Sequence, residues 1–197
     1  MMKITDNKNP IALFKEWLLE AEKREPINPN AMALATCSPD NRPSVRMVLL
    51  KDVDEQGFVF YSNSESRKGL EIETNAYASL CFYWKSLGRQ VRIEGAVSIV
   101  NDKEADAYFE SRHVGARIGA WASAQSRPME SRSDLEKNIT KYKAKYKDGL
   151  VPRPDYWRGY RVFPETIEFW IERESRLHDR FVYSRTSDSW KIVRLFP

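Results

Sequence analysis

Two stretches of this chain, 31–100 and 156–195, consist of short apolar segments punctuated by turn residues, and the sequence between them has a helical pattern. The first stretch holds Ala31–Cys37, Pro43–Lys51, Gly57–Ser62, Ala76–Trp84 and Gln90–Val100. The second holds Tyr156–Phe163, Thr166–Ile171, Arg180–Arg185 and Trp190–Leu195. Ser38-Pro39-Asp40-Asn41 reads as a turn. Asp52–Gly57 reads as the turn of a hairpin between Pro43–Lys51 and Gly57–Ser62, and Ser86-Leu87-Gly88 as the turn of a second hairpin. No crossover helices regularly separate the strands, which disfavours a parallel doubly wound sheet. Short antiparallel strands favour a small closed or partly open barrel with helices packed outside. The expectation is one mainly β (α+β) domain over 1–197.

The helices are read from caps and spacing. Asn9-Pro10 supplies an N-cap and a proline at the first helical position. Ile11, Leu13, Phe14, Trp17, Leu18 and Ala21 then recur at helical spacing, to an end near Arg24 ahead of Pro26 and Pro29. Ser64–Thr74 reads as a short helix. A helical insertion is expected over about 102–147: Asp102 capping a helix through Ser111, then Gly115–Ala124, then Ser131–Tyr146 with Leu135, Ile139 and Tyr142 as its apolar side. Pro152 and Pro154 make a stiff connector.

Composition narrows the function classes. With 42% hydrophobic and 12% aromatic residues, the chain can build a core. Its net charge of +4 comes from Lys and Arg interleaved with Asp and Glu, so no basic arm for nucleic acid is formed, and a small phosphorylated ligand suits it better. No stretch approaches the ~20 apolar residues of a membrane helix, and Met1–Lys15 lacks the apolar centre of a signal peptide. Cys37 and Cys81 are expected as reduced, buried thiols, and His113 and His178 are too few for a His-rich metal site. A cytoplasmic protein is expected. Neither a Ser-His-Asp arrangement, nor a Walker loop, nor G-x-G-x-x-G occurs. With only eight glycines, phosphate recognition rests on side chains and helix ends.

Four groups of residues can carry chemistry. In Arg46-Met47-Val48-Leu49-Leu50-Lys51 a strand carries a cation at each end, and strand alternation would point Arg46 and Lys51 to opposite faces. Such residues bind phosphates or make rim salt bridges. Arg67-Lys68 sits at a helix N-terminus, which attracts anions or is a solvated charged first turn. Gln90 and Gln125-Ser126 offer amides to the edge of a heterocycle or to water. In Arg176-Leu177-His178-Asp179-Arg180, an extended backbone would turn Arg176, His178 and Arg180 to one side as a cationic face, with His178 as a proton carrier. The alternative is a turn ion-paired through Glu172, Glu174 and Asp179.

In combination, R-M-V-L-L-K at 46–51, F-Y-S-N-S-E-S-R-K at 60–68, R-Q-V at 89–91, I-G-A-W at 118–121, Q-S at 125–126, I-E-F-W at 167–170 and R-L-H-D-R at 176–180 resemble the pyridoxine/pyridoxamine 5'-phosphate oxidases, over about Pro10 to Pro197. The resemblance implies an FMN-binding split barrel, a homodimer with FMN at the interface, and oxidation of a B6 phosphate to pyridoxal 5'-phosphate with O2 as acceptor and H2O2 as product. It places FMN contacts on Arg46, Met47, Val48, Leu49, Leu50, Lys51, Tyr61, Ser62, Arg67, Lys68, Gln90, Gln125, Ser126, Trp170 and Arg180. Substrate contacts fall on Lys51, Tyr108, Arg112, Arg176 and His178. The first three grip the phosphate, and Arg176 and His178 lie over the pyridine ring as the catalytic pair. Another split-barrel flavin oxidoreductase, or a binder of FMN or pyridoxal phosphate without turnover, is the alternative.

The chain departs from the family pattern in three places. Ala116 stands where a serine is common, with Arg117 or His113 as substitutes for its hydroxyl. Ile171-Glu172-Arg173 replaces a Gln-Gly loop. Met1–Asn9 offers only Lys3 and Lys8 for a lid.

Overall fold

In the computed structural model of the chain, residues 8–197 are described. Met1–Asn7, and with them Lys3, lie outside the described residues; Lys8 is exposed. Helix α1 spans Pro10–Arg24, and the Asn9 side chain caps it by accepting from the Ile11 and Ala12 amides at 2.8 and 3.1 Å. Ile11, Leu13, Phe14, Trp17 and Ala21 form its buried face. Phe14 meets the rings of Phe58 and Phe82, each at 4.9 Å, and Trp17 meets Phe169 at 5.0 Å. The helix thus closes over the inner face of a curled sheet.

That sheet has nine strands: β1 (Ala31–Cys37), β2 (Pro43–Leu49), β3 (Asp52–Asp54), β4 (Gly57–Asn63), β5 (Tyr77–Trp84), β6 (Arg89–Ile99), β7 (Trp157–Ile171), β8 (Asp179–Arg185) and β9 (Trp190–Leu195). Its order is β2-β1-β5-β6-β7-β4-β3, with β8 and β9 branching from β7, and every pairing is antiparallel. The two ends of this path, β2 and β3, are joined by two residues of chain, and Lys51 N–H bonds the Val59 carbonyl at 2.8 Å. The sheet is therefore bent round on itself. Alternate residues of β1, β5 and β6, such as Leu34, Leu80 and Ile93, fill the interior with Phe60 and Val162.

The expected mainly β architecture with outer helices holds, as does the β5–β6 hairpin. Four details differ, the last of them the cap of the helix over Asp102–Ser111. The segments 156–163 and 166–171 form one strand, β7. It passes through Pro164 because β6 bulges between Glu94 and Gly95, sparing the ladder a missing N–H. Gly95 is required there: a Cβ would lie 1.9 Å from the Phe163 carbonyl oxygen. Residues 43–51 and 57–62 do not form a hairpin with each other. β2 pairs with β1, and the short β3 takes the place beside β4. Cys37 and Cys81 are free and half-buried rather than buried.

Helices α3 (Asp102–Ser111), α4 (Val114–Ala122) and α5 (Arg132–Lys145) form an outer layer, and α2 (Arg67–Thr74) follows β4. Asn101, not Asp102, caps α3, its side chain accepting from the Glu104 amide at 2.9 Å. Phe109, Ile118, Val151 and Trp157 make a second apolar cluster that seats α3 and α4 on the start of β7. Arg153 pins α3 from the connector through Asp102 and Asp106, at 2.8 and 2.6 Å. No described helix is long and apolar enough to cross a membrane.

Candidate active site

A cleft of about 600 Å³ opens between β2, the end of β4, the start of α2, the end of α3 and the loop after α4. Along β2 the alternation is strict. Val45, Met47 and Leu49 present an exposed apolar stripe, and Arg46 turns inward. An apolar strand face left open beside cations suits a flat, partly apolar ring that carries an anion.

One end of the cleft is basic and built around α2. Ser66 starts the helix without capping it through its side chain; its hydroxyl instead donates to the Asn63 carbonyl and accepts from Lys68 Nζ at 2.9 Å. Lys68 is buried and also donates to Ser62 Oγ at 3.0 Å and Gln125 Oε1 at 3.2 Å. All three acceptors are neutral. Burial, and then the nearby Arg46 charge, push the Lys68 ammonium down to about 8. Behind it lies Glu71, 5% exposed. Its carboxylate accepts from Thr36 Oγ1 and Ser44 Oγ, each at 2.5 Å, from Arg67 Nε at 2.8 Å and from Arg46 at 3.4 Å. Burial pushes this carboxyl up, but the bonds from Ser44, Thr36 and Arg67 outweigh it and hold it at about 2.

The other end is aromatic. Tyr61, Tyr108 and Trp157 stack nearly parallel, Tyr61 lying 4.2 Å from Tyr108 and 5.0 Å from Trp157 between centroids. Burial, with Glu104 next, pushes the Tyr61 hydroxyl up to about 12. Lys51 Nζ stands 5.9 Å from the Tyr108 ring. Arg112 lies over Trp157 at 4.9 Å, and its Nη1 is buried with no hydrogen-bond partner among the described residues.

Of the expected contacts, Arg46, Met47, Val48, Leu49, Lys51, Tyr61, Ser62, Arg67, Lys68, Gln125 and Ser126 line this cleft, together with Tyr108 and Arg112. Leu50 does not: its side chain is 4% exposed in the barrel core. Arg46 and Lys51 do not face apart either, because β2 ends at Leu49 and the chain turns before Lys51. Ala116, Arg117 and His113 lie away from the lining, and the His113 imidazole instead accepts from the Gly115 amide at the start of α4.

Gln90 on β6, Trp170 on β7, Arg180 on β8, and Arg176 and His178 in the connection between β7 and β8 form a second group outside the cleft. Gln90 pairs with Trp170, and Trp170 with Arg180. The expected extended cationic face at 176–180 is absent. Residues 174–176 make a short turn with Ser175 and Arg176 at φ 54° and 61°, so the strand begins only at Asp179. Arg180 is held by the buried Glu168 at 2.8 Å, and Asp179 is paired with Arg173 at 2.7 Å and with Arg194. Arg176 is exposed and makes no ion pair among the described residues. His178 rests on Trp170 at 4.5 Å and accepts the Arg173 amide on Nδ1 at 3.2 Å, which leaves Nε2 to carry the proton of the neutral ring.

Two sequence models cover most of the chain. The one described as pyridoxamine 5'-phosphate oxidase matches residues 18–146. The chain belongs to this family. A second model, described as the pyridoxine 5'-phosphate oxidase C-terminal dimerisation region, matches residues 157–197, the segment bearing Trp170, Arg176, His178 and Arg180. The pyridoxine/pyridoxamine 5'-phosphate oxidase of Rhodospirillum rubrum is 57% identical over the whole of both chains. That of Brucella anthropi is 56% identical over 98% of this chain and 96% of its own. Among solved structures, PhzG from Burkholderia lata, in complex with tetrahydrophenazine-1-carboxylic acid, superposes with a TM-score of 0.91 at 34% identity, covering 97% of this chain and 94% of its own. A pyridoxamine 5'-phosphate oxidase-related, FMN-binding protein from Nostoc punctiforme shares the fold, with a TM-score of 0.77 at 16% identity over 97% of this chain and all of its own.

Glu71, Ser44 and Trp157 belong to the site without forming part of any motif singled out in the sequence. Glu71 was within reach, since it stands four residues after Arg67 on one helix face. Ser44 and Thr36 needed the β1–β2 register, which sets them opposite each other.

Proposed function

We propose that this family member oxidises pyridoxamine and pyridoxine 5'-phosphates to pyridoxal 5'-phosphate, with FMN as cofactor, O2 as acceptor and H2O2 as product. The observation that carries the reading is a cleft with two separate cationic ends, Arg46–Arg67–Lys68 and Lys51–Arg112, and an apolar strand face between them. One end takes a cofactor phosphate and the other a substrate phosphate. The donors fit such anions: among the described residues Lys68 meets only neutral acceptors, and Arg112 Nη1 is buried and unpaired. The 57% identity to a full-length B6-phosphate oxidase favours this substrate over the tricyclic acid bound by the Burkholderia lata protein, at 34%.

When bound, FMN supplies a two-electron acceptor that dioxygen reoxidises. The chain supplies placement. Arg67, Lys68, Ser62 and Gln125 hold the cofactor phosphate side, and Met47 to Leu49 offer backbone and apolar contact to the ring. Lys51, Tyr108 and Arg112 grip the substrate phosphate, with the Tyr61–Tyr108–Trp157 stack excluding water behind them. The second group belongs to the same chemistry in a homodimer, in which Gln90, Trp170, Arg176, His178 and Arg180 of one protomer complete the cleft of its partner. Arg176, unpaired on its turn, faces the substrate, and the His178 Nε2–H orients the pyridine ring rather than abstracting a proton.

The test is the visible spectrum of the purified protein before and after anaerobic pyridoxamine 5'-phosphate, followed by peroxide release in air. A flavin spectrum bleached by the B6 phosphate supports the reading. Reduction by a nicotinamide alone, or flavin binding with no bleaching by either B6 phosphate, overturns it.

A further inference from the structure

Glu71 is a buried carboxylate behind the basic end of the cleft, and four donors converge on it. They come from three elements: Thr36 on β1, Ser44 and Arg46 on β2, and Arg67 on α2. The two hydroxyls work as relays. Arg46 donates to Thr36 Oγ1 at 2.5 Å and to Ser44 Oγ, and both hydroxyls in turn donate to Glu71 Oε2. Arg46 also binds the Leu34 carbonyl at 3.2 Å. Its guanidinium is thereby fixed inside the wall. On the helix side, Arg67 is 62% exposed and would range freely but for its bond to Glu71 Oε1. Arg46, Arg67, Lys68 and Glu71 together carry two net positive charges, the complement of a phosphomonoester dianion.

We propose that Glu71 is the positioning residue of the cofactor-phosphate site, orienting Arg46 and Arg67 from behind. The inference rests on the flavin reading above. Glu71 touches no ligand and acts through the two arginines. A carboxylate this close to a phosphate site lowers the positive potential, so a purely Coulombic account gives tighter phosphate binding on its removal; orientation gives the reverse.

The experiment compares FMN with riboflavin, which lacks the phosphate, by quenching of flavin fluorescence on the apoprotein. The wild type is expected to prefer FMN strongly. Glu71→Gln is expected to cut that preference at least tenfold with riboflavin affinity unchanged. In an Arg67→Ala background the same substitution is expected to cost less than threefold. Thr36→Val, which keeps the charge and removes one relay, provides a milder variant with a smaller loss of preference in the same direction. An unchanged or increased FMN preference in Glu71→Gln overturns the proposal, as does an equal loss of FMN and riboflavin. Should Glu71→Gln fail to fold, an unaltered preference in Thr36→Val overturns it. A wild type that does not distinguish FMN from riboflavin overturns the flavin-phosphate reading itself.

Discussion

The Arg112 guanidinium lies 4.9 Å from the centre of the Trp157 ring, with Nη1 buried and unpaired among the described residues. Burial pushes this arginine down from its usual range, so its charge is held at a cost that an anion would offset. Losing a charge-assisted hydrogen bond is worth about 1.5–3 kcal/mol. Arg112→Ala is therefore expected to raise KM for pyridoxamine 5'-phosphate by roughly 10- to 100-fold, with FMN affinity within about twofold of wild type. Arg112→Lys should not restore KM, because an ammonium cannot stack flat on Trp157. Steady-state kinetics beside a flavin titration checks both; a kcat loss at constant KM would remove Arg112 from the phosphate grip.

Lys68 predicts a pH dependence. Its folded value of about 8 lies below the usual 10.5. Between these values the unfolded chain binds the extra proton, so this group costs the unligated protein stability at neutral pH and ceases to as pH rises from 8 to 10.5. Phosphate binding has the opposite preference and needs the ammonium. FMN affinity is expected to fall as pH rises through about 8, and in Lys68→Gln to be weaker throughout with this step gone. Fluorescence titrations from neutral to alkaline pH make the check, and a step that persists in Lys68→Gln assigns it to another group.

Glu71 predicts behaviour in acid. Its folded value of about 2 lies below the usual 4.5, so its stabilisation is complete above pH 4.5 and is lost as pH falls toward 2. At about 1.4 kcal/mol per pH unit, the contribution has an upper bound of about 3.5 kcal/mol. Glu71→Gln is expected to flatten the fall in urea-unfolding free energy across this window. An acid limb as steep as that of wild type would show that the carboxylate is not held low.

Much of this was legible in the sequence, for local reasons. Asn9-Pro10 announces α1, and Arg67-Lys68 at a helix start does stand at the N-terminus of α2. What was not legible depended on partners distant in the chain. Pro164 reads as a strand break until Gly95 is seen to bulge opposite it. The alternation argument for Arg176, His178 and Arg180 assumes an extended chain, but Ser175 and Arg176 take positive φ. Arg180, which reads either as part of a cationic face or as part of a turn ion-paired through Glu172, Glu174 and Asp179, has its charge met instead by Glu168 from the adjacent strand. Periodicity describes one element at a time, whereas the cleft is made where five of them meet.

The separation of the two groups yields a prediction about assembly. Arg112 lines the cleft, while Arg176 stands outside it on the dimerisation segment. If each cleft is completed by the partner, Arg112→Ala and Arg176→Ala damage the same site from different protomers. Assayed at substrate well below the KM of Arg112→Ala, where both variants are impaired, random reassortment then makes half the dimers mixed, and each mixed dimer has one intact and one doubly damaged site. Mixing after mild dissociation is expected to recover about a quarter of wild-type activity, as follows from two-fold symmetry. Arg176 suits the test because it is exposed and makes no ion pair among the described residues, so its removal leaves the turn folded. If both residues served one protomer's site, mixing would restore nothing, and the activity would stay at the mean of the two variants assayed apart.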